Sequence, residues 1–196
     1  MSIAPAKTSD ASKACRRRIM RDPTREALYP FDRYGHRDMI EITAGLFLGD
    51  EFDAGNLRAM QDRGIHAVIN CAPRVPNHFE GGDIAYLHLD IEESSEITRE
   101  IAMSVLSFSR EHASRGGILV HCAGGNQRSP AIIMLLLTAG GTPLLDAFKL
   151  VEQKRGSIIT PTFTMVASIA RLNLDGCDYT EDDVRRHFKV EYNLRF

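Results

Sequence analysis

One short segment of the chain combines a cysteine, two glycines and an arginine at a spacing that suits the binding of an anion. It reads His121-Cys122-Ala123-Gly124-Gly125-Asn126-Gln127-Arg128-Ser129 and follows the apolar run Ile118-Leu119-Val120. A glycine-bearing loop lets successive backbone N–H groups point inward. Because Ser129-Pro130 is a favourable helix start, the positive end of a helix dipole faces the same anion. The segment therefore predicts a phosphate-binding loop between a strand and a helix.

Two side chains of this loop supply the reactive groups. The guanidinium of Arg128 is a planar fork of donors that can hold two phosphate oxygens at once. Cys122 stands at the start of the loop, where the N–H groups and the arginine stabilise a thiolate, and cysteines in such places have pKa values lowered to about 3.5–7.5. One loop is thus predicted to bind a phosphate dianion and to supply the nucleophile. The alternative is a structural cysteine beside a surface arginine.

The composition is that of a globular chain without a strong overall charge. Hydrophobic residues make up 43% of the 196 residues, and 24 basic residues against 26 acidic ones give a formal net charge of −2. Such a balance provides no basic field for nucleic acid or an anionic membrane, so an anion site has to be built locally. The longest apolar run, residues 131–137, is too short to cross a bilayer. We expect no nucleic-acid partner and no membrane span.

The cysteines show neither a metal-binding nor a disulfide pattern. Cys15, Cys71, Cys122 and Cys177 are widely spaced, with no C-x-x-C pair and no Cys/His cluster at zinc spacing. So few cysteines in a chain of this length indicate a reducing compartment. The first thirty residues hold scattered charge and no continuous apolar stretch, so we expect neither a signal peptide nor a membrane anchor there. The sequence therefore predicts a soluble protein of the cytoplasm, with the nucleus as second compartment, that needs no metal or organic cofactor.

Short apolar runs alternate with helical patterns from Met39 onward. Strand patterns cover residues 40–48 with a turn at 44–45, then 66–70, 86–89 and 118–120. Helical patterns cover residues 53–63, 97–115, 129–137, 142–155 and 162–172, and a capped helix start follows at Thr180. This alternation predicts an α/β fold with a mostly parallel central sheet of about five strands, flanked by helices on both faces. Ligands bind beyond the carboxyl ends of such strands, which is where Cys122 lies.

The loop resembles the H-C-x-x-G-x-x-R-[ST] signature of the protein tyrosine phosphatase superfamily at every fixed position. Roughly residues 39–172 resemble its compact dual-specificity branch. Residues 42–49 are similar to the opening strand of that branch, 64–70 to its second strand, and 86–90 to the stretch that delivers the general acid. The chain contains no tryptophan, so it lacks the W-P-D loop of the large tyrosine phosphatases, in keeping with the dual-specificity branch.

The resemblance implies a role for each matching residue. Cys122 is expected to be the nucleophile and Arg128 the phosphate clamp. Ser129 is expected to donate to the thiolate when it leaves. Asp90, 32 positions before Cys122, is the expected general acid, with Glu92 or Glu93 as the alternative. Two supporting residues are expected: His121 orders the loop from behind, and Asn70 braces it. The residues expected to bind substrate are those of the loop, namely Ala123, Gly124, Gly125, Asn126 and Gln127, together with Arg128.

The implied function is that of a dual-specificity protein phosphatase. It would hydrolyse phosphotyrosine and phosphoserine or phosphothreonine of phosphoproteins through a cysteinyl-phosphate intermediate. Two alternatives stay open: a non-catalytic phosphate-binding adaptor, and a phosphatase acting on a lipid, a glucan or an RNA 5′-phosphate. The variable loop positions contain no Lys or Arg, which disfavours lipid. Gly124, Gln127 and Thr162 depart from the commonest family residues, which leaves the rate open.

The sequence divides into three predicted regions. Residues 1–38 form a basic N-terminal extension, 39–174 the catalytic domain, and 175–196 a C-terminal extension with a short helix. The cluster Arg16-Arg17-Arg18 belongs either to a solvated segment or to a docking patch for an acidic partner or a phospholipid. Cys71 is either a free core thiol or the partner of Cys122 in a reversible disulfide.

Overall fold

The computed structural model describes residues 39–156 and 159–187. The predicted N-terminal extension, with its arginine cluster at residues 16–18, lies outside the described residues. The strands of the described part are β1 (Ile40–Thr43), β2 (Leu46–Gly49), β3 (Ile65–Asn70), β4 (Ala85–His88) and β5 (Gly117–His121). Its helices are α1 (Glu51–Ala54), α2 (Leu57–Asp62), α3 (Arg99–His112), α4 (Arg128–Ala139), α5 (Leu144–Arg155), α6 (Phe163–Arg171) and α7 (Glu181–His187).

The five strands form one sheet in the order β1-β2-β5-β3-β4. The β1–β2 pair is an antiparallel hairpin, whereas β2–β5, β5–β3 and β3–β4 are parallel. All five residues of the central strand β5 are buried, as a strand covered on both faces requires. The predicted mostly parallel sheet is confirmed.

Helices cover both faces of this sheet. Alternate strand residues point to opposite sides, so each face has its own apolar cluster against which helices pack. Val68 of β3 and Leu119 of β5 pack with Met60 of α2 in one apolar cluster. Their neighbours Ile69 and Val120 belong to the larger cluster on the other face, which α3, α4, α5 and α6 complete. The prediction of helices on both faces is also confirmed.

The prediction of one continuous helix over residues 53–63 is wrong, because the structure has two short helices there, α1 and α2. Asp50 caps α1 by accepting from the N–H groups of Phe52 and Asp53, and the Asp53 carboxylate accepts in return from the Asp50 N–H. The Asn56 side chain caps α2 by accepting from Ala59 N–H at 3.1 Å. Side chains that bond to nearby backbone compete with a continuous helix, so the chain stops and restarts.

The segment after residue 174 packs against the domain. The N–H of Leu144, at the start of α5, donates to the Asp175 carboxylate at 3.0 Å and to the Tyr179 hydroxyl at 3.1 Å. The helix predicted at Thr180 is confirmed, since the Thr180 hydroxyl accepts from Asp183 N–H at 3.1 Å, and Val184 of α7 is buried in the larger core cluster. The described part of the predicted C-terminal extension is therefore attached to the core.

Candidate active site

The phosphate-binding loop lies between β5 and α4, with its carbonyl groups turned outward. The N–H of Glu51 donates to Ala123 O at 3.2 Å, and the N–H of Thr160 donates to Asn126 O at 2.7 Å. The guanidinium of Arg155 donates to both intervening carbonyls, those of Gly124 and Gly125. A trans peptide holds its N–H opposite its C=O. The N–H groups of residues 124–127 therefore face the hollow of the loop, as an oxyanion site requires.

The second glycine of the loop is required by the backbone. Gly125 has a φ of +64°, and a Cβ there would lie 2.7 Å from the carbonyl oxygen of Gly49. An L side chain is disfavoured by both the left-handed conformation and the contact. At Gly124 a Cβ would meet only the Asn126 side-chain oxygen, at 3.3 Å. The departure from the family at position 124 is thus sterically mild.

Arg128 lies at the first position of α4 with little solvent exposure. Its Nη1 donates to Ile91 O at 3.5 Å, and its Nη2 is 3.8 Å from a carboxylate oxygen of Glu93. The buried Nε has no hydrogen-bond partner in the described part of the chain. The N-cap residue Gln127 makes no capping bond from its side chain. Donors of the arginine and of the helix terminus are therefore available to a bound phosphate.

The sulfur of Cys122 is buried beside a hydroxyl donor. Cys122 is 1% exposed and Ser129 is fully buried. The Ser129 hydroxyl donates to Cys122 Sγ at 3.2 Å. The structure thus brings together Cys122, Arg128 and Ser129, three of the predicted site residues.

An open cleft of about 510 Å³ leads to this loop. It is lined by residues 72–75, by residues 92–94, and by Ala123 and Arg128. The two walls are the loop after β3 and the acidic loop after β4. Arg74 in one wall and Glu92 in the other are 4.0 Å apart and largely exposed, so this ion pair contributes little to stability.

The acidic loop presents its carboxylates to the cleft unequally. All three carboxylates are exposed, but Asp90 lies between the buried residues Leu89 and Ile91 and does not line the cleft. Glu92 and Glu93 both line the cleft, and Glu93 reaches Arg128. The structure thus brings Glu93, rather than Asp90, close to Arg128.

His121 lies behind the loop. It is fully buried, and its Nδ1 is 3.4 Å from the carbonyl oxygen of Cys122. Burial lowers the pKa of His121 from 6.5 to about 4, so the imidazole is neutral near pH 7 and its Nδ1–H can donate to that carbonyl. This position agrees with the expected ordering role, which stays a prediction.

Asn70 makes its side-chain hydrogen bonds in the turn that follows β3. Its side-chain amide donates to Val75 O at 2.7 Å and to Asn77 Oδ1 at 3.1 Å, and its oxygen accepts from Ala72 N–H at 3.0 Å. These bonds shape the wall at residues 72–77, because Asn70 ends β3 and its side chain satisfies the backbone of the turn that follows. The expected bracing of the phosphate-binding loop by Asn70 stays a prediction.

Cys71 is a free, fully buried thiol. Burial raises the pKa of Cys71 well above its usual range, and the neighbouring Cys122 raises it further. The thiol therefore stays protonated, and it donates weakly to Ile69 O at 3.9 Å. This environment is that of a core thiol.

Sequence reasoning missed Arg155. The residue ends α5, where a basic side chain is expected from the helix dipole alone and needs no functional explanation. Only the fold shows that its guanidinium reaches the loop, across a separation of 30 residues from Gly125.

The described residues hold neither a candidate metal-binding cluster nor a helix that could span a membrane. Within residues 39–156 and 159–187, no group of three or more His, Cys, Asp or Glu side chains is placed to hold a metal ion. No helix in that part of the chain is long and apolar enough to cross a membrane.

The comparison with known families agrees with the fold and the loop. Residues 46–173 match the family described as dual specificity phosphatase, catalytic domain. Because this match covers more than half of the chain, the chain belongs to the dual specificity phosphatase family.

Curated relatives and solved structures give the same grouping. Mouse dual specificity protein phosphatase 2 is 32% identical over 142 residues, which cover 71% of this chain and 44% of that protein. Dual specificity protein phosphatase 1-A of Xenopus laevis is 32% identical over 139 residues, covering 69% and 37%. The chain thus spans less than half the length of these relatives.

Two solved human structures have the same fold. The tyrosine phosphatase-like serine/threonine/tyrosine-interacting protein has a TM-score of 0.62 at 29% identity, covering 70% of this chain and 97% of that one. DUSP28 also has a TM-score of 0.62, at 19% identity, covering 69% and 92%, and shows a likeness of fold alone.

Proposed function

We propose that this protein is a dual-specificity protein phosphatase that hydrolyses phosphotyrosine, phosphoserine and phosphothreonine through a cysteinyl-phosphate intermediate. The observation that carries the proposal is the buried contact between Ser129 Oγ and Cys122 Sγ, 3.2 Å long, inside a loop whose carbonyls are all turned outward. The Ser129 hydroxyl, together with the loop N–H groups that face the hollow, suits a cysteine that acts as a nucleophile. An intracellular, cytoplasmic role in signalling, with phosphoproteins as substrates, belongs to the same proposal.

The first step transfers the phosphoryl group to sulfur. Phosphate oxygens accept from the inward N–H groups of residues 124–127 and from the guanidinium of Arg128. The Cys122 thiolate attacks phosphorus, the P–S bond forms, and the bond from phosphorus to the substrate oxygen breaks. A carboxylic acid in the acidic loop gives its proton to the departing oxygen.

The second step returns the enzyme to its starting state. The same carboxylate takes a proton from water, whose oxygen attacks phosphorus, and the P–S bond breaks with its electron pair on sulfur. The Ser129 hydroxyl donates to the sulfur as its negative charge develops. Inorganic phosphate leaves, and no metal or redox partner takes part in either step.

We assign the acid to Glu93. Asp90 has the spacing that the family resemblance implies, but it does not line the cleft, and exposure does not separate the two because both carboxylates are exposed. Glu93 lines the cleft and lies 3.8 Å from the Arg128 guanidinium, which would hold the transferring phosphoryl group. The group that protonates the leaving oxygen has to be within hydrogen-bond reach of it, so nearness to the clamp supports Glu93.

Charges at the cleft support a protein substrate over a polyanionic one. The acidic wall contributes Glu92 and Glu93, and the opposite wall contributes one basic residue, Arg74. A lipid headgroup or a nucleic acid with several phosphates would place anions next to these carboxylates, which is unfavourable. A phosphorylated side chain adds only one phosphate group, which enters the loop.

The test is hydrolysis of p-nitrophenyl phosphate and of phosphotyrosyl and phosphothreonyl peptides in the presence of EDTA. We expect the wild-type protein to release phosphate from all three, Cys122→Ser to release none, and the matched variant Cys71→Ser to retain turnover. Phosphopeptide binding without hydrolysis by the wild-type protein would instead establish the adaptor alternative. Hydrolysis confined to phosphoinositides, glucan or RNA 5′-phosphate would establish a non-protein phosphatase.

A further inference from the structure

Four successive carbonyl groups of the phosphate-binding loop are held by donors outside it. Backbone N–H groups hold the first and the last, Ala123 O and Asn126 O. The two central carbonyls, those of Gly124 and Gly125, are both held by the guanidinium of Arg155, with Nη2 at 3.3 Å from Gly124 O. A single side chain therefore fixes the peptide planes at the centre of the loop.

The central peptides are the ones most in need of such a constraint. Glycine has no Cβ to restrict its backbone, so two consecutive glycines leave the peptides around them free to rotate. A rotated peptide turns its carbonyl oxygen toward the hollow and its N–H away from it. That change replaces a donor to the bound oxyanion by a repelling dipole. The chain has Gly-Gly here where the family more often has alanine first, so the need for an external constraint is greater.

The placement of Arg155 also has a purely local explanation, which accounts for less of the geometry. As the last residue of α5 it interacts favourably with the carboxyl end of the helix dipole, as does its neighbour Lys154. The dipole accounts for a positive charge in this turn. It does not account for a planar fork that bonds two carbonyls of a different segment, which is a geometry that arginine provides and lysine does not.

We infer that Arg155 is a positioning residue of the active site, which keeps the Gly124 and Gly125 peptides oriented so that their N–H side faces the phosphate and the Cys122 sulfur. The inference goes with the proposed phosphatase function but can be tested without it, because oxyanion binding and alkylation of the thiol need no turnover. Absence of hydrolysis by the wild-type protein would refute the proposed function and leave this test intact.

The experiment compares Arg155→Met, Arg155→Lys and the control Lys154→Met, which removes an equal charge from the exposed neighbouring position. Two properties are measured: the dissociation constant for orthovanadate, and the pH midpoint of inactivation by iodoacetate, which alkylates the thiolate. For Arg155→Met we expect binding weakened about tenfold or more, as two lost charge-assisted bonds imply, and a midpoint raised by about one pH unit. Lys154→Met is expected to match the wild-type protein in both.

Arg155→Lys separates charge from geometry. Lysine keeps the positive charge but cannot hold both carbonyls in one plane, so we expect vanadate binding and midpoint to stay closer to Arg155→Met than to the wild-type protein. Circular dichroism and thermal unfolding establish that each variant is folded. A folded Arg155→Met with wild-type vanadate affinity and midpoint would overturn the inference, as would full rescue by lysine. If Arg155→Met does not fold, the lysine variant decides by the same two readouts.

Discussion

The hydroxyl of Ser129, in the first turn of α4, lies 3.2 Å from the sulfur of Cys122, directly after β5, and both side chains are buried. In the proposed mechanism, the donor points at the atom on which negative charge develops when the P–S bond breaks. Its contribution to catalysis should therefore be largest when that bond breaks.

Substitution Ser129→Ala should slow the second step more than the first. A hydrogen bond to a charged group contributes about 1.5–3 kcal/mol, so hydrolysis of the intermediate should slow about 10- to 150-fold. Rapid-mixing measurements on p-nitrophenyl phosphate should then show a burst of p-nitrophenol, one per site, before a slow steady state. A uniform slowing of both phases would show that the hydroxyl has no special role in the second step.

Glu93→Gln and Asp90→Asn form a matched pair that identifies the general acid. General acid–base catalysis contributes about 10²–10⁴-fold, and the effect is largest for a poor leaving group. We expect Glu93→Gln to lower kcat on a phosphoserine peptide about a hundredfold or more, with a smaller loss on p-nitrophenyl phosphate. Asp90→Asn should stay within about threefold of the wild-type protein on both substrates. The reverse order of effects would return the role to Asp90.

The two loop glycines should respond in opposite ways to alanine. At Gly125, alanine would have to adopt a left-handed φ and would lie 2.7 Å from Gly49 O, which belongs to backbone. We expect Gly125→Ala to lose about 1–2 kcal/mol or more of unfolding free energy and most of its vanadate affinity. Gly124→Ala should leave the free energy of unfolding unchanged or raise it by up to about 1 kcal/mol, and it should retain vanadate binding. Urea unfolding measures the free energy of unfolding of each variant, and vanadate titration measures its affinity. Equal losses in the two variants would contradict the steric argument.

The nucleophile and the clamp could be predicted because their geometry is local: Cys122 and Arg128 are six residues apart, in one loop between an apolar strand and a helix. The placement of the acidic loop relative to Arg128 could not be predicted, because distant contacts fix it. Ile97 N–H donates to Ser168 Oγ at 2.8 Å, and Glu96 pairs with Arg171 at 2.6 Å, across 71 and 75 residues. The bonds from Arg155 to the loop have the same origin. Spacing along the chain therefore predicted the loop residues themselves but not which carboxylate comes close to Arg128, nor the contact from Arg155.

Stability should fall with acidification through the buried His121. Its pKa is lowered from 6.5 to about 4 by burial, so the unfolded chain binds a proton at this site before the folded chain does. The free energy of unfolding should therefore decrease as pH falls from about 6.5 to about 4, by at most about 1.4 kcal/mol per pH unit from this group. Urea unfolding at several pH values should show a smaller decrease for His121→Asn, which cannot titrate, than for the wild-type protein. Equal pH dependence in the two proteins would mean that the imidazole takes up its proton in the folded state without a penalty.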